Sequence, residues 1–398
     1  MSTASGPWKI PVILVDFSDQ RLTYASAADW NTALFDTTAS TPTGSVFDYY
    51  RSVSAGRLRV VGKVVAIVHL DNPKSYYANN SWGLSNSTPR NSAGALLEAL
   101  GKCSSQVDWS EYDRDLDGRV DTVWLLHAGL GGENTVSRDN LWSITTKLSS
   151  WTGSSAFVTQ DPIPGTAIKE RVDAFSVLPE LSAFHLGNHA EIGVFCHEFG
   201  HSLGLPDLYD THPSTNPYNV GPGNWSLMST GAYGTDGQSP EYPSHLGGWA
   251  MTYLGWSQPV RPTRDTLITL HPLETTGEVL QLWFQGETGP ERFLVENRQR
   301  LAFDRNLVSE GAIISLVNDV FMASGIPSNN VNYGIYPGSR SLKPTGAATC
   351  FRGSITAIPG PHAGQLGPDA LGRHHATQQP VAVRVRHQRG DTRHRAGR

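Results

Sequence analysis

The stretch His197-Glu198-Phe199-Gly200-His201 constrains this chain more than any other. Two histidines four residues apart fall on one face of an α-helix, about one turn apart, so their imidazoles can share one tetrahedral Zn²⁺. Glu198 follows the first histidine and can reach the fourth coordination position, where water sits. Zinc lowers the pKa of that water, and a neighbouring carboxylate can take the proton and pass it to a leaving amine. The helix must then end soon after the second histidine. Gly204 permits a positive φ and a sharp exit, Pro206 prevents the helix from resuming, and Asp207 falls ten residues after His197, where a returning chain could supply a third ligand. Asp210 and His212 lie close enough in sequence to be rivals for that role.

Downstream, Gly223-Asn224-Trp225-Ser226-Leu227-Met228-Ser229-Thr230-Gly231 puts one of only four methionines in a Gly-flanked turn. A Met turn beneath the metal is the second mark of the metzincin class of zinc peptidases. The run Val194 to Asp210, together with Trp225-Ser226-Leu227-Met228-Ser229-Thr230-Gly231, closely resembles the M6 family of metallopeptidases, the immune inhibitor A family. Weaker matches follow the same family at Val15-Asp16-Phe17-Ser18-Asp19-Gln20, from Val107-Asp108-Trp109 to Gly132-Glu133, at Leu254-Gly255-Trp256 and over Phe293 to Gln299, so the resemblance covers roughly residues 10–320. It implies a secreted zinc-dependent endopeptidase acting on protein or peptide substrates, often calcium-stabilised and often made as a pro-form. Carried over residue by residue, His197 and His201 are zinc ligands, Glu198 is the general base, Asp207 holds the third-ligand position and Met228 is a floor residue. Tyr233, just past the Met turn, is a candidate transition-state stabiliser; a packed aromatic with a wet hydroxyl is the plainer reading. His185, His189 and His245 read as ordinary surface or core histidines.

A second constellation is Asp113-Arg114-Asp115-Leu116-Asp117-Gly118-Arg119-Val120-Asp121. Carboxylates stand at positions 1, 3, 5 and 9 of a tight loop, Gly118 at position 6 and the Arg119 carbonyl at position 7, an alternation that aims oxygens at one Ca²⁺. Position 12 is Trp124 and not Glu, so this is a calcium-loop-like site without the bidentate terminal ligand, and not an EF-hand. The bland alternative is a solvated acidic turn partly neutralised by Arg114 and Arg119.

The expected fold class is α+β: a metzincin-like catalytic domain with a twisted mixed sheet, an active-site helix and a Met turn over 1–260, then a β-rich domain over 261–345. Pro11 to Phe17 reads as an early buried strand, Ser26 to Phe35 and Ser45 to Ser54 as helices, Leu58 to Leu70 as a hairpin about Gly62-Lys63, Asn91 to Lys102 as an amphipathic helix, Val120 to His127 as a strand, Glu191 to Leu203 as the motif helix, and Pro243 to Leu254 as another helix. Short strands follow from Leu267 onwards. The net charge of −5 argues against nucleic acid as a partner. No stretch approaches 18 apolar residues, which excludes a membrane-spanning helix, and the N-terminus has neither the basic nor the apolar region of a signal peptide; secretion is thus an expectation from resemblance, with a cytosolic site left open. Cys103, Cys196 and Cys350 show no metal-ligand spacing, Cys196 reads as a buried thiol, and one bridge involving Cys103 stays open. Residues 346–398 are Arg- and His-rich without aromatic residues after Phe351, and are expected to be a disordered or frameshifted tail. Two further readings stand beside the active peptidase: a catalytically idle zinc-bearing adhesion or binding module, and a gene remnant that does not mature. The intact Glu198 favours catalysis, since a purely structural site has no need of a base beside its ligands.

Overall fold

Parallel strands with helical crossovers dominate the first half of the chain, and antiparallel strands the second, in a computed structural model. The structure describes residues 4–211, 220–283, 288–332, 339–342, 348–350, 353–358 and 379–385. Two compact units divide it: Met1–Leu205 with Gly231–Ser244, and Pro206–Thr230 with His245–Arg398.

In the first unit the order is β1 (Gly6–Asp16), α1 (Ala27–Phe35), α2 (Val46–Val53), β2 (Leu58–His69), α3 (Lys74–Ala78), α4 (Ser92–Cys103), β3 (Val123–Leu130), β4 (Ile144–Lys147), β5 (Phe157–Pro162), β6 (Lys169–Val172), β7 (Ala174–Leu181) and α5 (Ile192–Ser202). The sheet runs β2-β1-β3-β7-β4; all pairs are parallel except the last, so β4 is an antiparallel terminal strand. Central strands buried on both faces read as unbroken apolar runs, and Val12 to Val15 and Val123 to Leu126 are wholly buried. Helix starts follow their caps: Ser26, Ser45 and Asn91 each accept a main-chain N–H of the first turn, and Ser45 with Asp48 forms a capping box.

One expectation is corrected here. Leu58 to Leu70 is no hairpin but the single strand β2, paired in parallel with β1 along its length. Gly62 makes no turn; a Cβ there would collide with the Ile10 carbonyl and the Phe35 ring, so the glycine lets α1 and β1 close on the strand. Strands β4 to β7, including the two-stranded β5-β6 hairpin, have no counterpart among the sequence expectations.

In the second unit come α6 (Gly248–Tyr253), β8 (Thr266–Leu270), α7 (Leu273–Thr276), β9 (Leu280–Trp283), β10 (Glu291–Arg298), β11 (Gly311–Asn318), α8 (Asp319–Gly325), β12 (Ser339–Leu342), β13 (Ala348–Cys350), β14 (Gly353–Ile358) and β15 (Val381–Val385). The helix expected from Pro243 is confined to α6. One antiparallel sheet runs β12-β11-β10-β9, the other β13-β14-β15-β8. Leu270 and Val383 from the second share a core with Phe293, Val295 and Ile314 from the first. The α+β class thus holds, with a mixed sheet and few helices. Of the expected tail, the described residues after 346 are the strands β13 to β15 and the two residues before β15; the rest lies outside the described residues.

At the end of β10 sits Arg298, wholly buried. Its guanidinium meets Glu274 at 3.2 Å, Glu296 at 2.9 Å and Asp304 at 2.5 Å, and donates to the Trp225 carbonyl at 2.7 Å. Burial, offset in part by Arg298, raises the Glu274 pKa to about 8, whereas the guanidinium holds Asp304 below the usual carboxylate range against its own burial.

Candidate active site

Helix α5 carries the motif because its two faces want different things. Phe195, Cys196 and Phe199 are fully buried. Phe199 packs against Tyr50 and Trp8, with ring centroids 4.9 and 5.3 Å apart, and Phe195 against Trp124 at 5.6 Å. The Tyr50 hydroxyl donates to the Cys196 carbonyl at 2.6 Å. Cys196 and Cys103 are both buried free thiols. With these side chains fixed in the core, the 3.6-residue period delivers His197, Glu198 and His201 together on another face.

The imidazole centroids of His197 and His201 are 4.9 Å apart and nearly perpendicular. Ligand atoms of His197, Glu198 and His201 all lie within 4.8 Å of one another, a spacing that a small cation could bridge. The helix ends as the glycine requires. Gly204 adopts φ +88°, its N–H reaches the His201 carbonyl at 2.9 Å, and the Leu205 N–H reaches the Gly200 carbonyl at 3.1 Å. That paired closure is a Schellman motif. It brings the Leu205 carbonyl 2.8 Å from His201 Nδ1. A carbonyl can only accept, so Nδ1 carries the proton and Nε2 the lone pair, the tautomer a metal ligand needs.

Around Glu198, Thr145 of the terminal strand β4 places Oγ1 2.8 Å from both the Glu198 carbonyl and its Oε2, and 2.7 Å from Ser176 Oγ. Glu133 accepts from Ser143 N and Oγ at 3.0 and 2.7 Å, and burial pushes its pKa up. Tyr233 packs at a tilt against Phe184 with centroids 5.2 Å apart; burial and the charges of Glu133 and Glu198 push its hydroxyl pKa up. Sequence reasoning did not single out Thr145, Glu133 or Ser143. Each stands in a strand end or loop with no motif of its own.

Asp207 and Met228 belong to the second unit. There Met228 is fully buried, with its carbonyl accepting the Leu208 N–H at 2.7 Å. Asp207 is gripped by Asn329, whose Nδ2 donates to Asp207 Oδ2 at 2.7 Å while its Oδ1 accepts the Asp207 N–H at 2.6 Å. Asn329 lies 122 residues downstream, beyond any local signal. Asp210 is buried in the same unit; His212 lies outside the described residues. His185 is paired with Glu191, and His189 Nδ1 meets the Ala190 carbonyl at 3.0 Å. Burial lowers the His245 pKa to about 3, keeping it neutral.

In the acidic loop, carboxylate oxygens of Asp113, Asp115 and Asp117 lie within 4.8 Å of one another. Asp113 accepts the N–H groups of Asp117 and Gly118 at 3.2 and 2.8 Å. Asp121 is turned to Arg114, accepting its main-chain N–H at 3.2 Å, and the Arg119 side chain pairs with Asp173 at 3.1 Å. Glu170, absent from the sequence reading, joins this neighbourhood from β6: burial, Asp113, Asp117 and Asp161 raise its pKa to about 7.

Residues 27–258 match the family model of the immune inhibitor A peptidase M6 catalytic domain. The chain is 27% identical over 258 residues to the pre-pro-metalloprotease PrtV of Vibrio cholerae serotype O1, covering 60% of this chain and 26% of that protein. It is 28% identical over 207 residues to immune inhibitor A of Bacillus thuringiensis subsp. alesti, covering 46% of this chain and 28% of that one. The alignments thus span about a quarter of the length of these curated relatives.

Proposed function

Because the chain belongs to the M6 family of metallopeptidases, we propose that it is a zinc-dependent endopeptidase that hydrolyses peptide bonds of protein substrates, with Glu198 as general base. The observation that carries this reading is the grouping of His197, Glu198 and His201 with the His201 tautomer set by the Leu205 carbonyl. The donor set fits zinc: two imidazole nitrogens with a carboxylate beside them. His197 and His201 would hold the ion, and Asp207 is proposed as the third ligand on its place in the sequence, with its carboxylate oriented by Asn329. When bound, zinc supplies a Lewis acid that acidifies water and polarises the scissile carbonyl. Among the described residues no helix is long and apolar enough to cross a membrane.

The chain's own groups have distinct tasks in this reading. Glu198 takes a proton from the attacking water and gives it to the leaving amine. Thr145 has one hydroxyl proton and two lone pairs. It donates to Glu198 Oε2 while that group is a carboxylate and accepts from it once it is an acid, so the base stays anchored in both states. Tyr233, whose hydroxyl is kept protonated, is proposed to donate to the developing oxyanion. Met228 is proposed as the floor residue. Strand β4 ends the sheet beside Glu198, and an extended substrate segment can add to such an edge by main-chain hydrogen bonds. We assign the catalytic domain to residues 1–260, in keeping with the match over 27–258, and a β-rich extension to 261–345. The name pre-pro-metalloprotease borne by the Vibrio relative supports export. A structural Ca²⁺ at the Asp113–Asp121 loop is the second cation of this reading.

Glu198→Ala tests the mechanism. Zinc content should stay near one per chain while cleavage of casein falls by about 10²–10⁴-fold. Unchanged proteolysis by that variant overturns the role of Glu198.

A further inference from the structure

We infer that Glu170, from the β5-β6 hairpin, is a ligand of a Ca²⁺ held with Asp113, Asp115 and Asp117, so that the ion clamps the hairpin to the acidic loop. This rests on the loop being a cation site and is independent of the zinc reading.

The loop by itself is incomplete. Its twelfth position is Trp124, wholly buried and stacked on Phe35, and it offers no oxygen. A hard cation of this kind takes six to eight oxygens, and the three clustered aspartates bring one oxygen each to the cluster. Glu170 is the missing carboxylate, brought from outside the loop. It is fully buried, and among the described residues neither of its oxygens has a hydrogen-bond donor. A buried carboxylate without donors is costly. The neighbours that act most on Glu170 are acidic: its carboxylate faces Asp113, with Asp117 and Asp161 nearby. Asp161 in turn accepts the Trp109 N–H at 3.2 Å.

The main chain fixes the approach. The Val120 N–H reaches the Arg171 carbonyl at 2.9 Å, and the Arg171 N–H reaches the Gly118 carbonyl at 3.1 Å. These two bonds lay β6 beside the last residues of the loop. Alternation along the strand leaves Lys169 and Arg171 exposed and turns Glu170 inward. Arg119 is drawn to Asp173, and Arg114 lies over the Trp8 ring, 4.6 Å from its centroid. A proton on Glu170 would settle one oxygen and leave the three aspartates facing one another. A divalent cation settles all four carboxylates at once, and oxygen donors without nitrogen or sulfur select Ca²⁺ over zinc.

The test uses the full zinc-loaded chain in calcium-depleted buffer. Ca²⁺ at a hundredfold excess over its Kd should raise the melting temperature by about 5–10 °C and slow amide exchange across residues 157–172; equal Mg²⁺ should do less. Glu170→Gln keeps the shape and removes the charge. Without Ca²⁺ it should melt above the wild type, because the repulsion is gone. Its Ca²⁺ affinity by calorimetry should fall about tenfold or more, and exchange in 157–172 should no longer respond. Asp115→Asn, at an exposed loop position, should also lose the response. If the wild type ignores Ca²⁺, loop and clamp fail together. If Asp115→Asn loses the response while Glu170→Gln keeps it, the loop stands and the clamp is overturned. A Glu170→Gln chain that melts below the wild type without Ca²⁺ also overturns it, since the carboxylate would then already have a partner.

Discussion

Two groups of acids in this molecule answer the same electrostatic problem in opposite ways. Around Arg298, three carboxylates share one guanidinium that lies within the fold, and Glu274 sheds part of the remaining charge by holding a proton at neutral pH. Around Asp113, four carboxylates gather with no donor reaching Glu170. The first group carries its counter-ion in the sequence; the second, in the clamp proposed above, borrows one from solution. A covalently attached cation makes stability independent of the medium, whereas a borrowed one makes it a function of ion concentration. Asp207 is an intermediate case, a buried carboxylate held by the neutral amide of Asn329.

The largest expected effect comes from breaking the self-contained cluster. Arg298→Met leaves three buried acids unmatched and should cost about 3–5 kcal/mol, read by urea unfolding and unchanged by Ca²⁺. A cost under about 1 kcal/mol would mean that the arginine is not what balances the cluster. Next is the intermediate case: Asn329→Ala should weaken zinc binding about 10–100-fold, measured by competition with a zinc-selective chelator. Undiminished affinity would detach Asn329, and with it Asp207, from the metal. The smallest effect is on pH dependence. The Glu274 pKa is about 8 folded and starts from a reference of 4.5, so its contribution to stability is full below pH 4.5 and is lost as pH rises through 8. Melting temperature measured across that window should fall less steeply in Glu274→Gln than in the wild type. Parallel slopes would show that Glu274 does not hold a proton in the fold.

What was legible in the sequence is what depends on neighbours along the chain. The placing of His197, Glu198 and His201 on one helix, its exit at Gly204, and the caps at Ser26 and Ser45 follow from helical period and local hydrogen bonding. Partners set by strand pairing were hidden. Glu170 is one acid in Lys-Glu-Arg-Val, and only the pairing of β6 with the loop gives it meaning. Gly62-Lys63 looks like a turn until the Phe35 ring is known to need that space. Arg298 reads as an ordinary polar position on a strand, since nothing local says that Asp304 and Glu274 will fold over it. In the last segment, Val381 to Val385 alternates as a strand should and pairs with β8. The composition of the whole tail averages that signal away.

The contact between His201 and the Leu205 carbonyl has a consequence for engineering. In many metal sites the group that orients a ligand histidine is a side chain, and one substitution deletes it. Here it is a peptide oxygen, which every residue at position 205 would still supply. Mutational tolerance at that position should therefore be broad, limited by burial of the leucine rather than by the metal. The vulnerable residue is Gly204, at φ +88°, where any side chain strains the turn that aims the oxygen. Libraries meant to retune this centre can vary position 205 and should leave 204 alone.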